Sequence, residues 1–307
     1  MSFRVRTALA AVATAVVCGG CGLGPGPGTK SVSLTITKGF GSQHIGALTR
    51  SQVPGSETVM RMLERSYPVS TRYGGGFVAS IDGLAAAGPE RDWFYYVNGV
   101  QAAQGAATTG VHAGDHIWWD LHDWSATDAI PAVVGSFPEP FVNGIAGKRY
   151  PVTVECAANV GAACKRVTAQ LNAAHVPAAP QLIGTGSGPD TLGIVVGTWP
   201  EIRGEVAAEL IDHGPGASGV YATFGAGGGS LRLLNPRNQV VRTLGAGAGL
   251  IAATADNSSV PTWLVTGTDA AGVNAAAAEL TATALHDHFA LAVDGTTRLP
   301  VPLQGSQ

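Results

Sequence analysis

The sequence predicts two folded domains: a small twisted β domain with one helix, of the α+β class, followed by a small mixed-sheet α/β domain. Three observations support this prediction. Residues 31–124 alternate apolar and polar side chains around Asp-Gly and Asn-Gly dipeptides, as antiparallel strands with tight turns do. Residues 149–303 alternate short apolar strands with helices. The chain has 307 residues, which is enough for two cores.

The chain begins with a segment that is typical of protein export. Arg4 and Arg6 precede an apolar run over residues 8–17, which is too short to span a bilayer as a helix. We expect residues 1–20 to be a lipoprotein signal peptide and Cys21 to carry the lipid, which would anchor the protein outside the cytoplasm on the cell membrane. Ordinary secretion is the alternative, because a cysteine stands where the bacterial lipobox most often has Leu.

The first domain is expected to follow a short tether. Residues 21–30 are rich in Gly and Pro and offer nothing that could pack, so we expect an extended segment. Ser56 is a candidate N-cap for one short helix. Alternation and turn dipeptides then predict strands over residues 31–37, 77–81, 93–97 and 116–122, with the domain ending at 124.

A connector separates the two predicted domains. Residues 125–148 contain three prolines and no sustained periodicity. Beyond it, apolar runs predict strands over 150–156, 192–197, 262–266 and 288–293, helices over 164–174, 201–211 and 270–285, and a hairpin over 231–234 and 240–244. Strands that alternate with helices favour a small α/β sheet, and the hairpin makes that sheet mixed.

The composition argues against nucleic acid as a partner. Without Arg4 and Arg6, the 18 basic residues fall to 16 against 21 acidic residues. A mature chain with an acidic balance lacks the basic surface that binds phosphate backbones.

Cys18 and Cys21 belong to the export signal, which leaves Cys156 and Cys164 as the remaining pair of cysteines. Export allows them to oxidise, and the segment between them contains no further soft metal ligand. We therefore predict a structural disulfide and no metal site there.

Residues 31–123 resemble the C-terminal β domain of transcobalamin and intrinsic factor, and the bacterial surface domains related to it. The resemblance rests on six landmarks in the family's order: SVSLTIT, SETVMRMLERS, YGGGF, SIDGL, WFYYVNGV and AGDHIWW. It implies a small twisted β domain with a helix on one side. In the animal carriers this domain closes over a corrinoid that a helical barrel also holds, and this sequence shows no such barrel.

Aromatic residues are concentrated in two neighbouring predicted strands. Alternation places Trp118 on one face of the last strand and Trp119 on the other, with the Trp119 face expected to be core. We predict that Tyr73, Trp93, Tyr95 and Trp118 form a stacking surface for a flat ligand. The alternative is that Trp118 covers the second face of the sheet or packs on the α/β domain.

Other motifs give weaker signals. His112, His116, Asp120 and His122 lie too far apart along a strand for one metal ion. Residues 214–219 fit G-x-G-x-x-G but follow a predicted helix, which predicts a turn rather than a nucleotide site. Ser218 lacks the spacing of a hydrolase elbow. We therefore predict no catalytic residues, no cofactor and no enzyme.

These observations lead to a functional expectation. The protein is expected to be a membrane-anchored accessory protein that binds a corrinoid or another flat small molecule for uptake. A transporter or a helical-barrel surface protein would be its partner. Two alternatives stay open: a structural or interaction module of the cell envelope without a small-molecule ligand, and an envelope hydrolase with a nucleophile and base near Ser218 or Asp269.

Overall fold

The computed structural model describes residues 29–185, 188, 190–256 and 260–304. The predicted signal peptide, Cys21 and most of the tether lie outside the described residues. Among the helices of the described part, none is long and apolar enough to cross a membrane.

The first half of the chain is built on a five-stranded sheet in the order β2-β1-β8-β6-β7. β1 and β8 are parallel, and the other neighbours are antiparallel. A second, three-stranded sheet has the order β3-β4-β5. The elements are β1 (Thr29–Lys38), β2 (Gln43–Val53), α1 (Val59–Glu64), β3 (Val69–Arg72), β4 (Phe77–Ile81), β5 (Leu84–Ala85), β6 (Arg91–Val97), β7 (Val100–Gln101) and β8 (His116–Asp123).

Local chemistry fixes these elements. The side chain of Thr58, two residues beyond the expected Ser56, caps α1 by accepting from the backbone N–H of Arg61. Asn98 and Gly99 both have positive φ, at 55° and 75°, as the predicted Asn-Gly hairpin turn requires. The buried side chains of α1 pack with those of β1, β6 and β8 in one core.

The second half contains a seven-stranded mixed sheet in the order β10-β9-β11-β16-β15-β17-β18 and a three-stranded sheet in the order β12-β13-β14. Its strands are β9 (Val152–Cys156), β10 (Ala178–Leu182), β11 (Leu192–Thr198), β12 (Ala222–Phe224), β13 (Leu231–Leu234), β14 (Val240–Leu244), β15 (Ala248–Thr254), β16 (Thr262–Gly267), β17 (Ala290–Asp294) and β18 (Thr297–Val301). Its helices are α2 (Gly161–Ala173), α3 (Trp199–Ile202), α4 (Val206–Asp212), α5 (Pro215–Ser218), α6 (Ala270–Ala278) and α7 (Ala282–Leu285).

The described chain is therefore rich in β-sheet with few helices and several sheets, which confirms the predicted fold class at that level. Cys156 and Cys164 form the predicted disulfide.

Two predicted helices are each divided in two. The helix expected over 201–211 is divided at residues 203–205, which include Gly204, into α3 and α4. A capping box of Thr198 and Glu201 sets the start of α3. The helix expected over 270–285 breaks where Thr281 caps α7 by accepting from Ala284 N. Side chains that bind the backbone set the starts of α3 and α7, which the apolar pattern alone did not show.

The two halves of the chain share a buried aromatic cluster. It contains Phe40, Tyr96 and Trp118 from the first half and Tyr221 and Phe289 from the second. The connector joins the same contact. A Cβ atom at Gly135 would lie 2.7 Å from the backbone nitrogen of His288 and 2.8 Å from the Trp118 ring, so only glycine fits there.

Candidate ligand-binding site

A concave pocket of about 490 Å³ opens on the face of the first sheet that carries Trp119. Aromatic side chains from β4, β6 and β8 form much of its wall, and we call it the aromatic pocket. Residues 102–106 contribute its rim, and we call the whole loop after β7, residues 102–109, the rim loop. The lining residues used below are Phe77, Asp92, Trp93, Tyr95, Gln104 and Trp119.

Trp93 and Tyr95 were both predicted as binding residues, and the structure brings them together in this pocket. Trp93 is 8% exposed, and Tyr95 is half-buried. Residues i and i+2 of a strand point to the same face, so β6 presents both rings on one side. The Tyr95 ring stacks on Trp119, its cross-strand partner, with centroids 4.9 Å apart. Trp119 is thus a pocket residue as well as the core residue that alternation predicted.

The hydroxyl group of Tyr95 holds the rim loop. It lies 2.5 Å from the carbonyl oxygen of Gln104, to which it donates, and 2.7 Å from the hydroxyl of Thr109. Burial raises the pKa of Tyr95 above its usual value of about 10, so the group keeps its proton at neutral pH. The same side chain therefore forms a wall of the pocket and fixes its rim.

Tyr73 stands in solvent beside the pocket. It is 84% exposed and packs edge-on against Phe77, which is 61% exposed, with ring centroids 5.7 Å apart. Tyr73 has a φ of 52°, a conformation that bulky residues rarely adopt, and Gly74 continues it with a φ of 69°. The backbone thus holds an aromatic side chain outside the core at a strained position, as functional sites often do.

Trp118 is not part of this pocket. The sequence predicted Trp118 on a ligand surface, and the structure corrects this, because Trp118 is 0% exposed and lies on the opposite face of the sheet from Trp119. Its indole N–H donates to Thr37 Oγ1 at 2.7 Å, and its ring meets Phe289 of the α/β half edge-on at 5.2 Å. The second half of the chain covers this face, which agrees with the alternative expectation that Trp118 packs on the α/β domain.

The histidines and acids of β8 form a buried network instead of a metal site. His122 Nδ1 lies 2.8 Å from Asp120 Oδ1, and the backbone N–H groups of Phe40 and Gly41 donate to the same carboxylate. The His122 ring is stacked between Phe40 and Phe94. Within the described residues, no group of three or more His, Cys, Asp or Glu side chains could hold a metal ion.

His116 takes part in a different contact, which the sequence did not suggest. Its Nδ1 lies 2.9 Å from Ser136 Oγ in the connector, and its Nε2 lies 3.0 Å from Thr35 Oγ1. Burial lowers the pKa of His116 to about 4, so the ring is neutral at pH 7 and can accept one hydrogen bond while donating the other. The contact ties the connector to the first sheet.

The residues that would have supported a hydrolase have backbone partners. Ser218 lies in α5, where its hydroxyl donates to the carbonyl of Gly214 and accepts from Val220 N. Asp269 accepts from Gly272 N at the start of α6 and from Gly247 N. Both side chains stabilise local backbone structure.

A larger cleft of about 610 Å³ lies on the other side of the rim loop, between the two halves. Small aliphatic residues such as Ala103, Ala129 and Ala146 form much of its lining, without Trp, Tyr or Phe among the described residues there. Gln101 to Gln104 line both cavities. The aromatic pocket is the better match to the predicted stacking site because it holds the rings.

Comparison with known proteins gives a partial and loose resemblance. A family model described as a domain of unknown function, DUF4430, matches residues 56–123, which is less than a quarter of the chain. No curated protein matches. The family match covers β4, β6 and β8, which form the aromatic pocket, and assigns no function to them.

Two solved structures are similar over a similar share of the chain. One is a candidate metal-binding protein from Ruminococcus gnavus ATCC 29149, with 20% identity, a TM-score of 0.27, and coverage of 31% of this chain and 97% of that one. The other is haptocorrin in complex with Cbi, with 16% identity, a TM-score of 0.26, and coverage of 31% of this chain and 25% of that one. These scores are too low to support an argument about fold or function.

Proposed function

We propose that this protein captures a flat small molecule in the aromatic pocket, outside the cytoplasm, and that it binds its ligand without transforming it. The observation that supports this most directly is the grouping of Tyr73, Phe77, Trp93, Tyr95 and Trp119 in and beside one concave site. Aromatic rings offer a large, rigid contact area at low entropic cost, and they stack on other ring systems. A volume of about 490 Å³ lies within the range of small-molecule sites.

A corrinoid is the most specific candidate ligand, through the resemblance of residues 31–123 to the transcobalamin β domain. A pocket of about 490 Å³ suits a drug-sized molecule, so it would enclose only part of a corrinoid ring. A helical-barrel surface protein or a transporter would then supply the rest of the enclosure. Other flat compounds of smaller size would fit without a partner.

The anchor belongs to the same proposal. A lipid on Cys21 and the Gly- and Pro-rich tether would hold the pocket close to the membrane where uptake begins. Metabolic labelling with an alkyne fatty acid should mark the wild-type protein and leave Cys21→Ser unlabelled. Labelling of both proteins, or of neither, would contradict lipidation at Cys21 and would not affect the proposal for the pocket.

Ligand binding is tested by calorimetry and by quenching of tryptophan fluorescence with cobinamide, cobalamin and riboflavin. Trp93 and Trp119 line the pocket, so a bound ring should quench their emission. The test variant has Tyr73 and Phe77 both replaced by Ala, since both side chains are exposed and the fold should survive. Binding that this variant weakens supports the pocket, and absence of heat with every ring compound contradicts the proposal.

One observation favours an interaction module as the second candidate. β2 is an 11-residue strand at the edge of its sheet, and most of its residues are exposed. An edge strand of this length can accept a further strand from a partner. Crosslinking in cells tests this alternative: an adduct with a second protein that is lost when a proline is placed in β2, together with no ring-compound binding, would favour it.

A further inference from the structure

The larger cleft between the two halves is a second cavity, which the proposed function does not use. It measures about 610 Å³, and we call it the aliphatic cleft. Three parts of the chain form its wall: β6, β7 and the rim loop in the first half, the connector, and the two residues that follow β15. A cavity of this volume is large enough to hold a small molecule.

Hydrogen bonds hold the connector in place as one side of the aliphatic cleft. Gln101 accepts from Ile130 N through its side chain, and its backbone N–H donates to Pro131 O. The backbone N–H of Val133 donates to Gly99 O. The fold therefore fixes this part of the wall in advance, and a ligand does not have to order it on binding.

The wall of the aliphatic cleft is apolar and accessible. Ala103, Ala129 and Ala146 line the cleft and are exposed, and Val100 and Ile145 line it and are half-buried. Among the described lining residues there is no Trp, Tyr or Phe. Such a wall offers dispersion contacts to methylene groups, but no ring on which a flat ligand could stack.

The charged groups of the wall argue against an anionic ligand. Asp256 is the one acidic residue among the described residues that line the cleft, and no Lys or Arg is found with it. His112 also lines the cleft, but its Nδ1 lies 3.5 Å from Asp115 Oδ2, so the imidazole already has an acidic neighbour. An anionic head group would lose hydration there without a Lys or Arg to compensate.

One residue of the wall has a strained backbone. Ala146 has a φ of 51°, which alanine rarely adopts, and Gly147 follows with a φ of 76°. A Cβ atom at Gly147 would lie 2.6 Å from the His112 ring, so close packing fixes this turn. Strain of this kind persists where the surrounding structure imposes it, and it is concentrated at functional sites.

We infer that the aliphatic cleft is a second binding site, and that it takes the aliphatic chain of a molecule without negative charge. An apolar chain that enters the cleft displaces water from aliphatic side chains and gains affinity with each methylene group it buries. A flexible chain can follow a wall that three separate parts of the protein form. This site is distinct from the aromatic pocket, although Gln101 to Gln104 line both cavities.

The experiment measures the binding of straight-chain alcohols by calorimetry. The protein is the mature chain with Cys21→Ser, so that no lipid of its own competes for the cleft. 1-Hexanol, 1-octanol and 1-decanol differ only in chain length, and decanoate adds a negative charge to a ten-carbon chain.

Two matched variants locate the binding. Ala129→Phe fills the cleft from an exposed position that does not line the aromatic pocket. Ala87→Phe is the control, because Ala87 is also exposed, lies in a loop and lines neither cavity. Circular dichroism checks the folding of both variants, and riboflavin binding reports on the aromatic pocket.

We expect affinity to rise by about threefold to fourfold for each methylene group between hexanol and decanol. Ala129→Phe should weaken decanol binding by about tenfold or more, whereas Ala87→Phe should leave it unchanged. Decanoate should bind more weakly than decanol, and riboflavin should bind both variants as it binds wild type.

Three results would overturn this inference: no binding of any alcohol, equal affinity for the three chain lengths, or decanol binding that the two variants affect alike. Decanoate that binds as tightly as decanol would overturn the exclusion of negative charge. None of these results bears on riboflavin or cobinamide, so the proposed function fails or stands separately.

Discussion

The hydroxyl group of Tyr95 donates a hydrogen bond to the carbonyl oxygen of Gln104, 2.5 Å away, and so connects the stacked wall of the aromatic pocket to its rim. Gln101, the last residue of β7 and directly before the rim loop, accepts from Ile130 N of the connector through its side chain. The rim loop is thus attached at one end to a binding residue and at the other to the segment between the two halves. Its position should depend on the Tyr95 hydroxyl.

Tyr95→Phe is expected to release the rim loop while keeping the stacked ring. The change removes the bonds to Gln104 and Thr109 and should lower the free energy of unfolding by about 1 kcal/mol. Amide hydrogen exchange over residues 102–109 should accelerate, and riboflavin affinity should fall several-fold. Tyr150→Phe, which removes a tyrosine hydroxyl outside the pocket, is the control. Unchanged exchange in the rim loop of Tyr95→Phe would show that the hydroxyl does not hold it.

Replacing Tyr73 by Asn should separate stability from binding. Asn adopts positive φ more readily than Tyr does, so Tyr73→Asn is expected to raise the free energy of unfolding by about 0.5–1 kcal/mol. The exposed ring makes its contact with Phe77 and little else, so little packing is lost. Affinity for the ring probe should decrease. Urea unfolding and calorimetry measure the two effects, and a less stable variant would contradict the strain at this position.

The strands of the first half could be predicted from sequence because their signals are local. Alternation over β1 and β8 and the Asn98-Gly99 turn depend on neighbouring residues. β15 was missed, because its sequence AGLIAAT has few β-branched residues and lies in a Gly-rich stretch, yet it is fully buried between β16 and β17. Its pairing, and not its propensity, makes it a strand.

The candidate site could be predicted only in part, because a local sequence pattern does not show contacts between distant residues. Alternation identified the two faces of β8, but it could not show which face the second half of the chain would cover. Trp118 meets Phe289, about 170 residues further along the chain, and such contacts leave no local pattern. Trp119 was assigned to the core on correct grounds, and its second role in the pocket depends on the position of the rim loop.

Removal of the disulfide between Cys156 and Cys164 is expected to destabilise the protein. The bridge closes a short loop with a sequence separation of 8, for which chain entropy gives about 2.5 kcal/mol. The double variant Cys156→Ala, Cys164→Ala should show this loss in urea unfolding. Wild type with reductant should approach the same value, and reductant should leave the variant unchanged. A variant as stable as oxidised wild type would show that the bridge adds nothing.

Asn98→Ala should be strongly destabilising. Asn98 is 0% exposed; its amide nitrogen donates to Asp115 Oδ1 and Gly144 O, and its oxygen accepts from His116 N. Three buried groups lose their partners and an Ala is forced to positive φ, so we expect a loss of about 3 kcal/mol or more. Asn238→Ala is the matched control, because Asn238 has a φ of 58° and is exposed. A similar loss in both variants would assign the effect to the backbone alone.

The stability of the protein should fall in mild acid because of His116. Burial lowers the pKa of this residue from 6.5 to about 4 in the folded state, so between these values the unfolded chain binds more protons than the folded one. Its contribution is fully present above pH 6.5 and is lost as the pH falls toward 4, by up to about 3 kcal/mol. Burial raises the pKa values of Asp115 and Glu139, so the protonation of these two carboxyl groups stabilises the folded state as the pH falls, opposite to the effect of His116.

The effect of His116 on stability can be separated from that of the carboxyl groups with His116→Gln. This variant keeps hydrogen-bonding groups near Ser136 and Thr35 and cannot titrate. Urea unfolding at pH 7 and at pH 4.5 gives the change in free energy for each protein. Wild type should lose more stability than His116→Gln between these values, because only wild type must keep a neutral imidazole buried. Equal losses would show that the connector contact at Ser136 does not hold His116 in its uncharged form.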